Sequence, residues 1–174
     1  MRIDPLRTGR SPAPSMPPLE ELESTHRELM LALEQLSQVV HGVERDGSTV
    51  PMRAIARSVV RFFAEVGHHH HAEEERHVFP DLLASGDGDL IQHVHRLQQD
   101  HAWLEEDWRE IGPQVDALDL GIGGVDFDAL RRAVEVFSQL YREHIALEES
   151  LIYPEAKRLA KLEREQARAR LASQ

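Results

Sequence analysis

Apolar residues recur at alternating intervals of three and four positions in four separate stretches of this chain. Such spacing places them on one face of an α-helix, which is then buried against other helices. The stretches begin at Leu19, after residues 46–48, after residues 85–88 and after residues 121–124. We expect Ser48 or Thr49 to cap the second helix, and Pro80 and Pro154 to disrupt the second and fourth helices. No alternating β-branched run competes with the four stretches. We therefore predict an all-α fold, an up-down-up-down four-helix bundle with short connections.

Each apolar stripe is interrupted by histidine or glutamate where its spacing requires an apolar residue. Side chains four residues apart lie on the same helix face, so the second and fourth helices each present an imidazole beside a carboxylate. The first and third stripes are each interrupted by one histidine. The interrupting residues are His26, His70, Glu74, His101, His144 and Glu148.

The polar interruptions belong to an internal repeat. An offset of 74 residues maps residues 60–80 onto residues 134–154, and an offset of 75 maps His26 onto His101. A lone histidine in a helix stripe is more often a hydrogen-bonded core residue than a ligand. Six polar seam residues that repeat in register favour a metal site instead.

The donor types indicate which metals such a site would take. Two carboxylates in a bundle core need a cation, because a buried unpaired carboxylate costs several kcal/mol. Four neutral imidazoles and two carboxylates leave two divalent ions with a residual charge of about +2, which suits a bridging oxide or hydroxide. We expect Glu74 and Glu148 to span the two metals. Ligation by nitrogen and oxygen suits iron or manganese, and also zinc.

A ferritin-like site is an alternative dinuclear arrangement, built from Glu-x-x-His motifs on two helices. The chain contains this motif at Glu23, Glu65 and Glu74. No such motif follows residue 80, so the two-fold symmetry of that arrangement cannot be completed. We therefore rank it second.

Residues 70–80 and 144–154 resemble the motif His-x-x-x-Glu-Glu-x-x-(apolar)-(aromatic)-Pro of the haemerythrin-like, or HHE cation-binding, domains of the bacterial type. His26 and His101 match the lone histidines of the first and third helices of that family. The resemblance covers residues 19–160. It implies a haemerythrin-like bundle that holds two non-haem iron ions with a bridging oxo or hydroxo group. It also implies an open coordination position for dioxygen, peroxide or nitric oxide.

Glu105 marks a departure from the oxygen-carrying haemerythrins of invertebrates, which have a second histidine four residues after the helix-three ligand. The departure disfavours reversible oxygen carriage. Glu105 shares a helix face with His101, where it either supplies a further oxygen donor or flanks the site. Tyr141, three residues before His144, either packs in the core or donates a hydrogen bond to a ligand of the metal.

Several other polar residues lie close to the motifs. We expect His68, His69, His71 and His77 to lie at the surface or to support the ligands, because the first three occupy other helix faces than His70 and His77 lies two turns beyond it. Two glutamates follow the ligand glutamates directly, and they either orient the helix-one and helix-three histidines or are exposed. These are Glu75 and Glu149.

The amino-acid composition limits the kinds of partner and site that we expect for this protein. The net charge of −11 repels nucleic acid and anionic membrane surfaces, so we expect neither as a partner. The absence of cysteine excludes disulfides, thiolate metal sites and cysteine nucleophiles. We expect a cytoplasmic protein, a monomer or a homodimer, that takes electrons from an unidentified donor.

The predicted organisation has three parts: a disordered tail (1–18), the bundle (19–160) and a charged helical extension (161–174). The predicted function is to bind or react with dioxygen, peroxide or nitric oxide, in the handling or sensing of oxidative or nitrosative stress. The sequence leaves open whether the protein is an enzyme with a peroxidase, catalase-like or nitric oxide-reducing activity. The alternatives are passive binding or storage of iron or zinc, and reversible oxygen carriage.

Overall fold

The computed structural model describes residues 19–120 and 124–173. The expected N-terminal tail, residues 1–18, lies outside the described residues. Within the described ranges, no helix combines the length and the apolar character needed to cross a membrane.

The first connection follows the sequence prediction. Helix α1 (Leu19–Asp46) is followed by Gly47, whose φ of 74° lies in the left-handed region that glycine tolerates best. Thr49 then caps α2 (Val50–Phe62), since its side chain accepts a hydrogen bond from the backbone N–H of Met52. Of the two predicted caps, Ser48 and Thr49, the structure uses Thr49.

The second bundle helix is not a single α-helix. After α2, a π-helical turn (Phe63–Gly67) leads into α3 (His68–His77), and α4 (Phe79–Leu83) follows after Val78. Pro80 lies in the first turn of α4, where its missing N–H leaves no hydrogen bond unmade. The expected interruption at Pro80 is therefore a break and restart of the helix.

The second half of the chain repeats this plan with a difference near Pro154. The sequence predicted that Pro154 disrupts the fourth helix, but the chain remains helical there. A second π-helical turn precedes the proline, which then lies in the first turn of the next helix, where no N–H is needed. The elements are α5 (Gly88–Leu120), α6 (Phe127–Leu147), the π-helical turn (Glu148–Ile152) and α7 (Tyr153–Ala172).

Packing between the helices confirms the up-down-up-down bundle. Helix α1 packs on α2 and α6, and α5 packs on the same two helices, so each long helix has its chain neighbours beside it. Helix α7 continues the fourth bundle helix to Ala172, and its residues from 161 onward are exposed.

Two hydrophobic clusters fill the bundle at different levels. One includes Leu33, Phe63 and Phe137, and the other includes Phe79 and Leu97. Each fully buried side chain of this size contributes about 1.5–3 kcal/mol. The histidines and glutamates that interrupt the stripes lie between the two clusters, in a polar layer across the bundle.

Candidate metal centre

The structure brings the six stripe-interrupting residues together in this polar layer. They come from α1, α3, α5, α6 and the second π-helical turn, and no side chain among them is more than 3% exposed. Donor atoms from these residues lie close enough together to form two four-residue groups. The groups are His26, His70, Glu74 and Glu148, and Glu74, His101, His144 and Glu148.

Glu74 directs its two carboxylate oxygens toward different histidines. Its Oε1 lies 3.4 Å from Nε2 of His70 and 3.9 Å from Nε2 of His26. Its Oε2 lies 3.5 Å from Nε2 of His101. We name the two ends of the site the His26 side, with His26 and His70, and the His101 side, with His101 and His144.

Glu148 divides its oxygens between the same two sides. Its Oε2 lies 3.2 Å from Nε2 of His26, and its Oε1 lies 3.1 Å from Nε2 of His144 and 4.0 Å from Nε2 of His101. Two carboxylates that each present one oxygen to each side are the arrangement that bridging between two metal ions requires.

The donor atoms fit a metal centre because several of them are buried without a hydrogen-bond partner. These include both ring nitrogens of His70, both carboxylate oxygens of Glu148 and Oε2 of Glu74. Within the part of the chain that the structure describes, neither carboxylate forms an ion pair with lysine or arginine. Buried polar atoms normally have partners, and divalent cations between the two sides would supply them.

In the metal-free site, the pKa values of the buried acids and histidines are shifted in ways that reflect the same shortage of positive charge. Burial and the neighbouring Glu148 carboxylate raise the pKa of Glu74 to about 7. Burial lowers the pKa of His144, but Glu148 outweighs it and raises that pKa to about 10. Burial also lowers the pKa of His70 to about 3, so this imidazole is neutral and free to bind a metal.

Two glutamates outside the site orient two of the histidines. Glu149 lies 3.1 Å from Nδ1 of His26, and Glu75 lies 2.9 Å from Nδ1 of His101. An imidazole that donates from Nδ1 to a carboxylate directs the Nε2 lone pair into the site. Both glutamates are nearly half exposed and also lie within hydrogen-bond distance of the histidines, so the contacts agree with the orienting role.

Tyr153 belongs to the site, although the sequence analysis did not select it. Its ring stacks on His26 at a centroid distance of 5.3 Å, and its hydroxyl donates to Oε1 of Glu74 and lies 3.1 Å from Nε2 of His26. Burial raises the pKa of Tyr153, which keeps the hydroxyl protonated. Its repeat equivalent, Phe79, stacks on His101 without a hydroxyl. The sequence signal for this role was that the repeat has Phe79 in its first half and Tyr153 at the equivalent position in its second half.

His71 is also part of the polar layer, so of the two positions expected for it, at the surface or in support of the ligands, burial excludes the first. Its side chain is only 3% exposed, and its ring stacks on His101 at a centroid distance of 4.1 Å. Ring nitrogens of His71, His101 and His144 form a third potential metal-binding group. Burial lowers the pKa of His71 well below its usual value. The repeat gave no signal for this residue, because its equivalent is Ile145.

Asp100 is a further buried acid that sequence reasoning missed. Its side chain is 2% exposed, and its Oδ2 lies 3.8 Å from Nδ1 of His144 and 3.7 Å from Nε of Arg96. It therefore lies behind His144, but at a longer distance than the 2.9 Å that separates Glu75 from Nδ1 of His101. The repeat did not mark it, since its equivalent at an offset of 75 is Thr25.

Glu105 lies outside the three potential metal-binding groups. It hydrogen-bonds through Oε1 to Nδ1 of His68 at 3.0 Å, at the edge of a cavity of about 290 Å³. Tyr141 lines the same cavity, and its buried ring packs on Phe63 and Phe137. His71 forms part of the cavity wall next to the polar layer.

Comparison with known proteins identifies the family. The family model described as "Hemerythrin HHE cation binding domain" matches residues 17–156. The chain belongs to this family. A relative from Haemophilus influenzae, described as an uncharacterized protein, is 28% identical over 134 residues, which cover 77% of this chain and 76% of the relative. No match was found among solved structures. Family membership establishes this haemerythrin-type bundle as a cation-binding domain.

Proposed function

We propose that the protein holds two non-haem iron ions, with a bridging oxide or hydroxide, and that it binds or reacts with dioxygen, peroxide or nitric oxide. One ion lies on the His26 side and the other on the His101 side. The observation that carries the proposal is that Glu74 and Glu148 each present one oxygen to each side. A single metal ion would not require each carboxylate to present one oxygen to each side of the site.

The residues around the site control which molecules enter it. An iron pair, when bound, supplies redox equivalents and a coordination position for a small ligand. Hydrophobic clusters above and below the polar layer keep bulk water out. The cavity beside His71 and Tyr141 has a volume of about 290 Å³, and its lining combines apolar residues such as Trp108 with the charged Glu105 and Arg109. This volume admits dioxygen, nitric oxide or peroxide.

Tyr153 gives the His26 side a hydrogen-bond donor. Its hydroxyl is buried beside Glu74 and His26, and its raised pKa keeps the hydroxyl protonated at neutral pH. The equivalent Phe79, on the His101 side, has no hydroxyl. We therefore expect Tyr153 to hold Glu74 in place by this hydrogen bond while the proton stays on the tyrosine.

The alternative function is passive binding or storage of iron or zinc. Zinc accepts the same imidazole and carboxylate donors, so the donor set alone does not favour iron. Reversible oxygen carriage is the other alternative. A redox response of the loaded protein separates passive binding from the proposed function, and catalytic turnover separates reversible oxygen carriage from it.

Anaerobic loading with ferrous iron tests the proposal. We expect close to two iron ions per chain and an optical spectrum that changes on addition of dioxygen, hydrogen peroxide or nitric oxide. His70→Ala and His144→Ala remove a ligand from opposite sides, so each should weaken the binding of one ion. His69→Ala, in the same histidine run but exposed, is the matched control.

Peroxide consumption by the loaded protein distinguishes an enzyme from a carrier. Catalytic removal of hydrogen peroxide supports a stress-handling enzyme, whereas a stable oxygen adduct that releases dioxygen on degassing supports carriage. Tight zinc binding, together with iron loading that gives no response to any of the three ligands, would overturn the proposal.

A further inference from the structure

His71 is buried in the polar layer without any hydrogen bond to explain its presence. Both of its ring nitrogens lack a partner in the structure, and its side chain is 3% exposed. It stacks on His101 and meets His144 edge to face at a centroid distance of 5.6 Å. A buried imidazole with two unpartnered nitrogens costs free energy, so packing alone does not account for a histidine here.

The internal repeat shows that packing at this position does not require histidine. Ile145 occupies the equivalent position in the second half of the chain. That side chain is also buried, and it belongs to a hydrophobic cluster. An apolar residue therefore serves one half of the bundle, and only the half that faces His101 and His144 carries an imidazole.

The nitrogen atoms are placed for a shared ligand. One ring nitrogen from each of His71, His101 and His144 lies within 4.8 Å of the other two. Imidazole nitrogens bind a metal at about 2.0–2.1 Å, so nitrogens on one ion lie up to about 4.2 Å apart. Small side-chain movements bring three such nitrogens onto one ion.

We propose that His71 is a third imidazole ligand of the metal ion on the His101 side. The inference rests on the proposed two-metal centre and deepens it. The two metal positions are then unequal, because the His101 side has three imidazoles and the His26 side has two, with Glu74 and Glu148 shared between them.

Metal titration of the metal-free chain tests this assignment. The probe is Zn²⁺ or Co²⁺, followed by calorimetry under conditions in which the wild-type chain takes up two ions. In His71→Leu we expect one ion to bind as in the wild type and the other to bind at least about 100-fold more weakly, since loss of a direct ligand exceeds the 10- to 100-fold effect of an outer-shell partner. His69→Leu, an exposed neighbour in the same histidine run, should bind both ions unchanged.

Chemical rescue by free imidazole is a second test of the assignment. His71 lines the cavity of about 290 Å³, so free imidazole has a route to the space that His71→Ala leaves. We expect millimolar imidazole to restore binding of the weakened ion in His71→Ala, and absence of any rescue would count against a direct ligand at this position.

X-ray absorption on the metal-loaded wild-type chain measures the average number of imidazoles per metal. Because it needs no variant, it tests the assignment even if the substituted chains do not fold. Five imidazoles on two ions give an average of about 2.5 per metal, against about 2 if His71 does not bind. Two ions of unchanged affinity in His71→Leu, or an average of about two imidazoles per metal, would overturn the assignment. A wild-type chain that takes up fewer than two ions would instead refute the proposed function.

Discussion

Replacement of Glu74 by glutamine should change stability in opposite directions with and without metal. In the metal-free chain, Glu74 has a pKa of about 7, compared with an ordinary value of 4.5. Between these values the folded state holds a proton that the unfolded state has lost, so the contribution of Glu74 to stability falls as pH rises through this window. Glutamine has no proton to lose.

The magnitude follows from the pKa difference. Each pKa unit is worth about 1.4 kcal/mol, so ionised Glu74 costs the metal-free fold about 3 kcal/mol above pH 7. Metal-free Glu74→Gln should therefore be more stable than the wild type by about that amount at pH 8, with the difference vanishing near pH 4. The charge on Glu74 also raises the pKa values of His26 and His144, so the sign of the stability difference, and its disappearance toward pH 4, are what the comparison tests.

With metal bound, the order should reverse. Glu74 presents an oxygen to each side, so the substitution weakens both ions rather than one. Removal of one partner from a buried charge pair costs about 3–5 kcal/mol, which corresponds to roughly 10²- to 4 × 10³-fold in affinity. Bound metal stabilises the fold by mass action, so the loaded variant loses much of the stabilisation that the loaded wild type gains.

Urea unfolding of both proteins, metal-free and Zn²⁺-loaded, between pH 4 and pH 8 measures these effects. His70→Ala is the comparison that affects one side only. A metal-free Glu74→Gln chain no more stable than the wild type at pH 8 would refute the argument from buried charge. Loaded Glu74→Gln with one ion unaffected would refute the bridging position.

Three further predictions concern the surroundings of the site and the core. Glu149→Gln should weaken the ion on the His26 side by about 10- to 100-fold, and Glu75→Gln should do the same on the His101 side, because each removes the carboxylate that orients a histidine; calorimetric titration with Zn²⁺ measures both. Tyr153→Phe retains the stacked ring but loses the hydrogen bond to Glu74, and urea unfolding of the metal-free chain should show a loss of about 1.5–3 kcal/mol; an unchanged stability would contradict that bond. Leu33→Ala should destabilise the fold by about 2–5 kcal/mol in thermal unfolding, because this side chain is fully buried, whereas Leu31→Ala, at a position 54% exposed, should stay within about 0.5 kcal/mol of the wild type.

The π-helical turns explain two of the three buried site residues that helix periodicity missed, His71 and Tyr153. A π-helical turn uses more residues per turn than an α-helix, so side chains beyond it are rotated relative to a stripe drawn at 3.6 residues per turn. The turn at Phe63–Gly67 precedes His70 and His71, both of which are buried. The turn at Glu148–Ile152 precedes Tyr153, which stacks on His26. Neither turn has an equivalent in the other half of the repeat.

The sequence by itself determined the bundle and the six-residue set that the structure brings into one polar layer. Apolar spacing identifies the inward face of each helix, and a polar residue on that face must lie in the core whatever the detailed packing. The repeat then related the two halves, which predicted that His26 and His101, and likewise the two His–Glu pairs, have equivalent places.

Only the tertiary structure decided what distinguishes the two halves. The division of each carboxylate between two sides, the burial of His71 and Asp100, and the Tyr153 hydroxyl beside Glu74 all depend on distances between helices far apart in sequence. Local periodicity carries no information on those distances, and the π-helical turns alter the periodicity where it matters most. The tertiary structure also places Glu105 beside His68 at the edge of the cavity. Helix spacing alone had left the role of Glu105 open.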